Sequence, residues 1–285
     1  LYVLDIVKGP LIRVNVVKLD QKSHIVVFSL HHLITDNTSS RIFVEELTTV
    51  YEAIGAGKPP ALPPQPVQYA DFASWQRRSV TREGLDQKLA YWRDLLADVP
   101  DLELPTDWPR RSAPSEQEFR YSALKFRFSP ELTRKAMDLT QATGSTLFKT
   151  LLATLATLLH YYTRKQAILL GVAAGNRRHP QLKSQLGCFF STIILRVNLG
   201  GNSRFTEMIE DVGQQMRAAF ADQDIPFEYF ADRLQLKCTQ QRVPPYRVYL
   251  NFVSPPGGKM TAADLTFSPL FRHTDRNTRE DLILN

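Results

Sequence analysis

HIVVFSLHHLITDNTSSRIFVEEL, residues 24–47, sets the fold class. His24 to Leu30 is a dense run of β-branched and aromatic residues, the composition of a strand. It passes without a break into HHLITDN (His31–Asn37) and the cap-rich TDNTSS. Phe43, Leu47, Val50, Tyr51 and Ile54 then recur at helical spacing until Gly55 and Gly57. Upstream, LIRVNVVKLD (Leu11–Asp20) alternates as a neighbouring strand, with DQKS (Asp20–Ser23) as the turn between the two.

The chain has 285 residues, enough for one large domain or two ordinary ones. Hydrophobic residues at 43% and charged residues at 22% are those of a globular protein. The longest apolar stretch, Leu147–Tyr162, is interrupted by Lys149, Thr150, Thr154, Thr157 and His160, which excludes a membrane span of about 18 uninterrupted apolar residues. LYVLDIVKGP at the start has no basic region and no cleavage signal, so the expected location is cytoplasmic. It reads as the inside of a strand, and the chain is expected to be a piece of something longer. Cys188 and Cys238 give neither a disulfide framework nor a zinc spacing and read as ordinary thiols. The charge of +6 is not gathered into a Lys/Arg block, so a mildly basic surface is expected and a nucleic-acid partner is not.

Further along, KPPALPPQP (Lys58–Pro66) holds five prolines in nine residues and reads as an extended connector. YADFASWQRR (Tyr69–Arg78) and a segment ending YWRDLLADV follow. Past the Pro-punctuated LELPTDWPRR (Leu102–Arg111), a lobe boundary is expected between residues 115 and 116. The pattern then restarts: strand SALKFRF (Ser122–Phe128), helix PELTRKAMDLTQATG, a long apolar helix capped by Ser145 or Thr146, strand AILLGVAAG, strand CFFSTIILRVNL, helix FTEMIEDVGQQMRAAFADQD and strand YRVYLNFVS. Strands alternating with helices argue for a layered α/β sandwich.

His31, His32 and Asp36 lie within six residues at a strand end, where rigid backbone can aim side chains into a cleft. Adjacent strand residues face opposite ways, so His31 and His32 do not share one metal ion. A hydrogen-bonded structural pair and general acid–base work both remain open, since imidazole titrates near 6.5. GxSxG, GxxxxGK[ST] and GxGxxG are absent, which removes the best signals for serine hydrolases, nucleotide hydrolysis and dinucleotide redox chemistry.

HHLITDN resembles the HHxxxDG motif of condensation domains of nonribosomal peptide synthetases. Further segments match that family in order: GPLIRV before the motif, YADFASWQ (Tyr69–Gln76), LPTDWPR (Leu104–Arg110), LLGVAAGNRRHPQLKSQLGCFFSTIILRV, DQDIPFE (Asp222–Glu228) and VPPYRVYLNF. The departures are Asn37 where the family has Gly, Ser191 where it has Asn, and Asp222 where it has His. The opening segments of a complete domain, with an early Arg-containing motif, are not in this chain.

The resemblance implies two chloramphenicol-acetyltransferase-like α/β sandwich lobes in a V with a central tunnel: residues 1–115, an incomplete N-terminal lobe carrying the motif, and 116–285, the C-terminal lobe. It implies amide bond formation between a donor acyl thioester and an acceptor aminoacyl thioester. Both are held on the phosphopantetheine arms of upstream and downstream carrier domains, beside an adenylation domain, with no tightly bound cofactor and no metal. His32 matches the catalytic histidine. His31 matches the first histidine and is expected to support it. Asp36 matches the motif carboxylate and is expected to pair with Arg177, with Arg178 as the alternative. Asn37 and Asn251 are candidate substrate contacts, Tyr69 and Trp75 packing residues. Rival readings are another HHxxxD acyltransferase using an alcohol or coenzyme A, and a non-catalytic partner-binding module.

Overall fold

The computed structural model describes residues 4–79, 82–108, 122–201, 203–221, 223–226, 229–230, 233–234, 245–253, 260–262, 264–268, 270 and 280–285. In chain order the elements are β1 (Ile12–Lys18), β2 (His24–Leu30), α1 (Asn37–Gly55), α2 (Tyr69–Ser79), α3 (Arg82–Leu96), α4 (Pro130–Ala142), α5 (Leu147–Thr163), β3 (Ala167–Ala174), β4 (Ser191–Asn198), α6 (Phe205–Ala221), β5 (Val248–Leu250), β6 (Met260–Ala262), β7 (Leu265–Phe267) and β8 (Leu282–Leu284). The chain divides into two compact units. One comprises Leu1–Arg77, Gly175–Phe190 and Ser254–Leu270; the other comprises Arg78–Ala174, Ser191–Val253 and Phe271–Asn285. The boundary expected between residues 115 and 116 lies outside the described residues, as does Cys238.

In the first unit β1 and β2 pair antiparallel, from Ile12 opposite Leu30 to Lys18 opposite His24. The turn forms because Asp20 Oδ1 accepts from the amides of Lys22 (2.7 Å) and Ser23 (2.8 Å). Phe28 of β2 meets Phe43 of α1 edge to face at 5.0 Å, tying the hairpin to the helix. Lys58–Pro66 forms neither helix nor strand. The opening segment corrects one expectation: residues 4–11 are not strand, because Asp5 Oδ1 takes the amides of Val7 and Lys8 and closes a turn.

The second unit carries a four-stranded mixed sheet in the order β4-β3-β5-β8, antiparallel between β4 and β3 and parallel elsewhere. The AILLGVAA run is almost continuously apolar because β3 is buried on both faces. Ile168, Leu170 and Val172 face α5 and α6, meeting Leu152, Ala156, Ile209 and Val212. Leu169 joins the opposite cluster with Leu89, Trp92 and Leu95 of α3, Phe230 and Tyr246. This is strand alternation expressed as two cores, each fully buried Leu, Ile or Val contributing about 1.5–3 kcal/mol. Thr146 supplies the α5 cap, accepting from the Lys149 amide. Arg196 of β4 points to the α3 side, where its Nη1 donates to the carbonyls of Asp94, Leu95 and Ala97 and satisfies the end of that helix.

Ser122–Phe128 is a second correction. Its alternation is that of a strand, but among the described residues it joins no ladder, and Leu124 and Phe126 stand 87% and 64% exposed. Period-2 patterning marks a chain ready to pair; only a partner makes it a strand.

Gly171 sits on the α3 side of β3, where a Cβ would lie 2.5 Å from Cε2 of the buried Tyr246. Gly171→Ala is therefore expected to destabilise the second unit by about 1–3 kcal/mol through overpacking. Thermal unfolding checks this, and Tyr246→Leu is expected to recover part of the loss in the double variant.

Candidate active site

Strand β2 ends at Leu30, and His31 and His32 lie beyond it. Their supposed alternation across a strand is thus corrected. His31, in extended conformation, caps a single tight helical turn over His32–Ile34, with its Nδ1 accepting from the Leu33 amide at 3.1 Å. That bond places the His31 proton on Nε2 if the ring is neutral. His31 turns back as the cap, and His32 leads the turn.

His32 is exposed. Its Nδ1 lies 3.5 Å from Cys188 Sγ, and its ring stands 5.1 Å from Phe190 at a 47° tilt. Both partners come from residues 175–190, the segment that the first unit takes from far along the chain.

Asp36 is what joins that segment to the motif. It is the N-cap of α1, 6% exposed, and its Oδ1 accepts from the Ser39 amide at 2.7 Å. Arg177 Nη2 donates to both carboxylate oxygens, at 2.9 and 3.1 Å, and the Phe189 amide donates to Oδ2 at 3.1 Å. Arg177 in turn gives Nη1 to the carbonyls of Leu182 (2.5 Å) and Gln185 (2.7 Å), and its guanidinium lies 4.2 Å from the Phe189 ring centre. Ser39 Oγ, fully buried, donates to the Gly187 carbonyl at 2.8 Å and accepts from the Gly187 amide at 3.0 Å. Tyr69 of α2 donates its hydroxyl to the Cys188 carbonyl at 3.0 Å. Gly187 has no room for a side chain, since a Cβ would meet Tyr69 Cδ2 at 2.4 Å.

Burial, and secondarily the Asp36 charge, pushes the Cys188 thiol above its ordinary pKa, so it carries its proton at neutral pH. The same two influences, with the Cys188 charge between them in size, raise the Tyr69 phenol. Tyr69, Phe72, Trp75 and Phe189 form an aromatic cluster, with Trp75 edge-on to His179 at 5.0 Å.

Asn37 is the first residue of α1, with an exposed side chain. Asn251 belongs to the second unit, where its side-chain Nδ2 donates to Asn285 Oδ1 at 3.0 Å. Arg178 is not the residue on Asp36. Of DQDIPFE, Asp222, Phe227 and Glu228 lie outside the described residues. Among the described residues no three His, Cys, Asp or Glu side chains gather as a metal-holding group, and no single helix is long and apolar enough to cross a membrane.

Ser39 and Gly187 were not singled out by sequence reasoning, and Cys188 was read as an ordinary thiol. A signal existed for Ser39, three residues past a capping Asp. None existed for Cys188, whose meeting with His32 is purely tertiary. The buried Arg247 was also missed: it binds Asp101 through two nitrogens and Asp281 at 3.2 Å, holding the start of β5 in the second unit.

The condensation-domain family model matches residues 3–270, and the chain belongs to that family. It is 36% identical over 265 residues to a linear gramicidin synthase of Brevibacillus parabrevis, covering 93% of this chain and 5% of that protein. It is 34% identical over 281 residues to chondramide synthase cmdD of Chondromyces crocatus, covering 98% of this chain and 7% of that protein. The chain thus spans a small fraction of these synthetases. The condensation domain of the monacolin K polyketide synthase MokA superposes with a TM-score of 0.80 at 18% identity, over 99% of this chain and 65% of that one, a likeness of fold. Condensation domains of peptide synthetases are amide-bond-forming acyltransferases that join carrier-bound substrates.

Breaking a buried ion pair leaves an uncompensated charge, at a cost of about 3–5 kcal/mol. The Asp36 and Arg177 side chains are only 5% and 8% exposed. Asp36→Ala and Arg177→Ala are each expected to lower the denaturation midpoint, and the double variant to lose less than their sum. Additive losses in chemical denaturation would contradict the pairing.

Proposed function

We propose that this chain forms an amide between a donor acyl group and the amine of an acceptor, each presented as a phosphopantetheine thioester by an upstream and a downstream carrier domain, and that His32 acts on the reacting amine. The observation that carries it is the exposed His32 ring held at a turn whose backbone is anchored by the buried Asp36–Arg177 pair. Effective positioning requires such rigidity, because an attacking group misplaced by about 1 Å loses about 10²-fold in rate.

The acceptor α-amine, with an ordinary pKa of about 7.7–8.0, is partly neutral at working pH. It attacks the thioester carbonyl, and the C–N bond forms as the amine nitrogen becomes positive. The nitrogen must lose a proton before the thiolate leaves and the amide is complete. With Nδ1 turned to Cys188, Nε2 is the His32 atom that meets substrate, either taking that proton or binding the tetrahedral species; such a group is worth about 10²–10⁴-fold. His31 supports the turn as its cap, and Asp36 and Arg177 hold the backbone. Asn37, one residue past the Asp36 cap, contacts substrate in this reading. The partners are the two carrier domains and an adjacent adenylation domain. Nucleic acid and membrane are not partners, no metal or tightly bound cofactor takes part, and the reaction is cytoplasmic.

The test is amide formation by the full synthetase with donor- and acceptor-loaded carriers. His32→Ala is expected to reduce the rate by about 10²-fold or more without lowering stability. Product formation by this variant at the wild-type rate would remove His32 from the mechanism.

A further inference from the structure

We propose that Cys188 is a positioning residue for His32: its thiol holds Nδ1 as a hydrogen-bond acceptor, fixing the ring's orientation and keeping its proton on Nε2. This rests on the reading of His32 given above and deepens it.

The thiol's aim is set by three independent anchors on consecutive residues. Ser39 Oγ binds both the amide and the carbonyl of Gly187, Tyr69 holds the Cys188 carbonyl, and Asp36 Oδ2 takes the Phe189 amide. With the backbone fixed on each side, the Cys188 side chain has little freedom, and Sγ lies 3.5 Å from Nδ1, an ordinary hydrogen-bonding distance for sulfur. Phe190, two residues on, leans against the imidazole and restricts its plane. Burial and the Asp36 charge keep the thiol protonated, so a donor hydrogen is present. A thiol is a weak donor and a weak acceptor, whereas an imidazole nitrogen lone pair is a good acceptor; the proposed contact therefore has the proton on sulfur, pointing at Nδ1. The titratable and charged groups around this contact are His31 on the same turn, the Asp36–Arg177 pair behind Cys188, and Tyr69 from α2.

The consequence concerns Nε2. A donor at Nδ1 requires that this nitrogen bear no hydrogen, so the neutral ring carries its own on Nε2. That suits donation to the oxygen of the tetrahedral species more than abstraction of a proton. The binding role is then the one this site supplies to the carbonyl.

Cys188→Ala, Cys188→Ser and wild type are compared in the full synthetase by two measurements. The first is the rate of carbethoxylation of His32 by diethylpyrocarbonate at about pH 7, located by mass spectrometry. This reagent attacks a ring nitrogen that bears no hydrogen, which in the proposed tautomer is the Nδ1 that the thiol covers, and it reads the contact without any turnover. The second is amide formation with loaded carriers at the same pH. Cys188→Ala is expected to raise the carbethoxylation rate about 3-fold, the size of one modest hydrogen bond. It is expected to lower kcat about 3–10-fold with KM unchanged. Cys188→Ser, which restores a donor, is expected to return the carbethoxylation rate towards wild type. A rate unchanged or lowered in Cys188→Ala, or raised equally in Cys188→Ala and Cys188→Ser, overturns the inference. An inactive wild type, or an active His32→Ala, overturns the proposed function instead and leaves the carbethoxylation result to decide the contact by itself.

Discussion

The Asp36 carboxylate binds three backbone or side-chain donors that come from two distant stretches of chain: the Ser39 amide, the Phe189 amide and the Arg177 guanidinium. Removing a charge from water carries a large desolvation cost, and such a group is tolerated only when its lone pairs are filled. Asp36 meets that condition, and in doing so it fixes three things at once: the start of α1, the path of residues 175–190, and the backbone beyond the His31–His32 turn. The carboxylate itself makes no bond to either histidine among the contacts at the site. Its influence on the chemistry passes through backbone geometry.

The fold was legible where local pattern and tertiary role coincide. The β1–β2 hairpin, the N-cap of α5 and the doubly buried β3 follow from composition and periodicity, since each element's own residues state their burial. The family resemblance, spread in order along the chain, is matched by the family model over residues 3–270. Legibility failed where a partner decides the outcome. Ser122–Phe128 has the alternation of a strand and no ladder among the described residues. LDIV (residues 4–7) has apolar content, but the Asp5 side chain captures the amides of Val7 and Lys8 and closes a turn.

At the site the same division holds. Spacing brought His31, His32 and Asp36 into view because they are near one another in sequence. The two histidines were assigned to opposite faces of a strand, yet the strand stops at Leu30, and His31 caps the turn that His32 opens. Arg177 came into view by resemblance, 141 residues away from its carboxylate. Cys188 was read as an ordinary thiol: an isolated cysteine carries no spacing signal, and its approach to the His32 ring is purely tertiary.

The departures Asn37 and Ser191 gain different weight once placed. Asn37 is the first helical residue of α1, where backbone dihedrals are ordinary and the missing glycine costs no strain; what changes is that an exposed amide stands one residue after the Asp36 cap. Ser191 opens β4 with a buried hydroxyl that finds no partner among the described residues. Burying an unsatisfied hydroxyl costs about 1–3 kcal/mol, more than an exposed substitution at a helix start. Of the two, Ser191 is the one with an energetic consequence for the folded chain. Asn37 alters the chemistry of the surface beside the motif while leaving its frame intact.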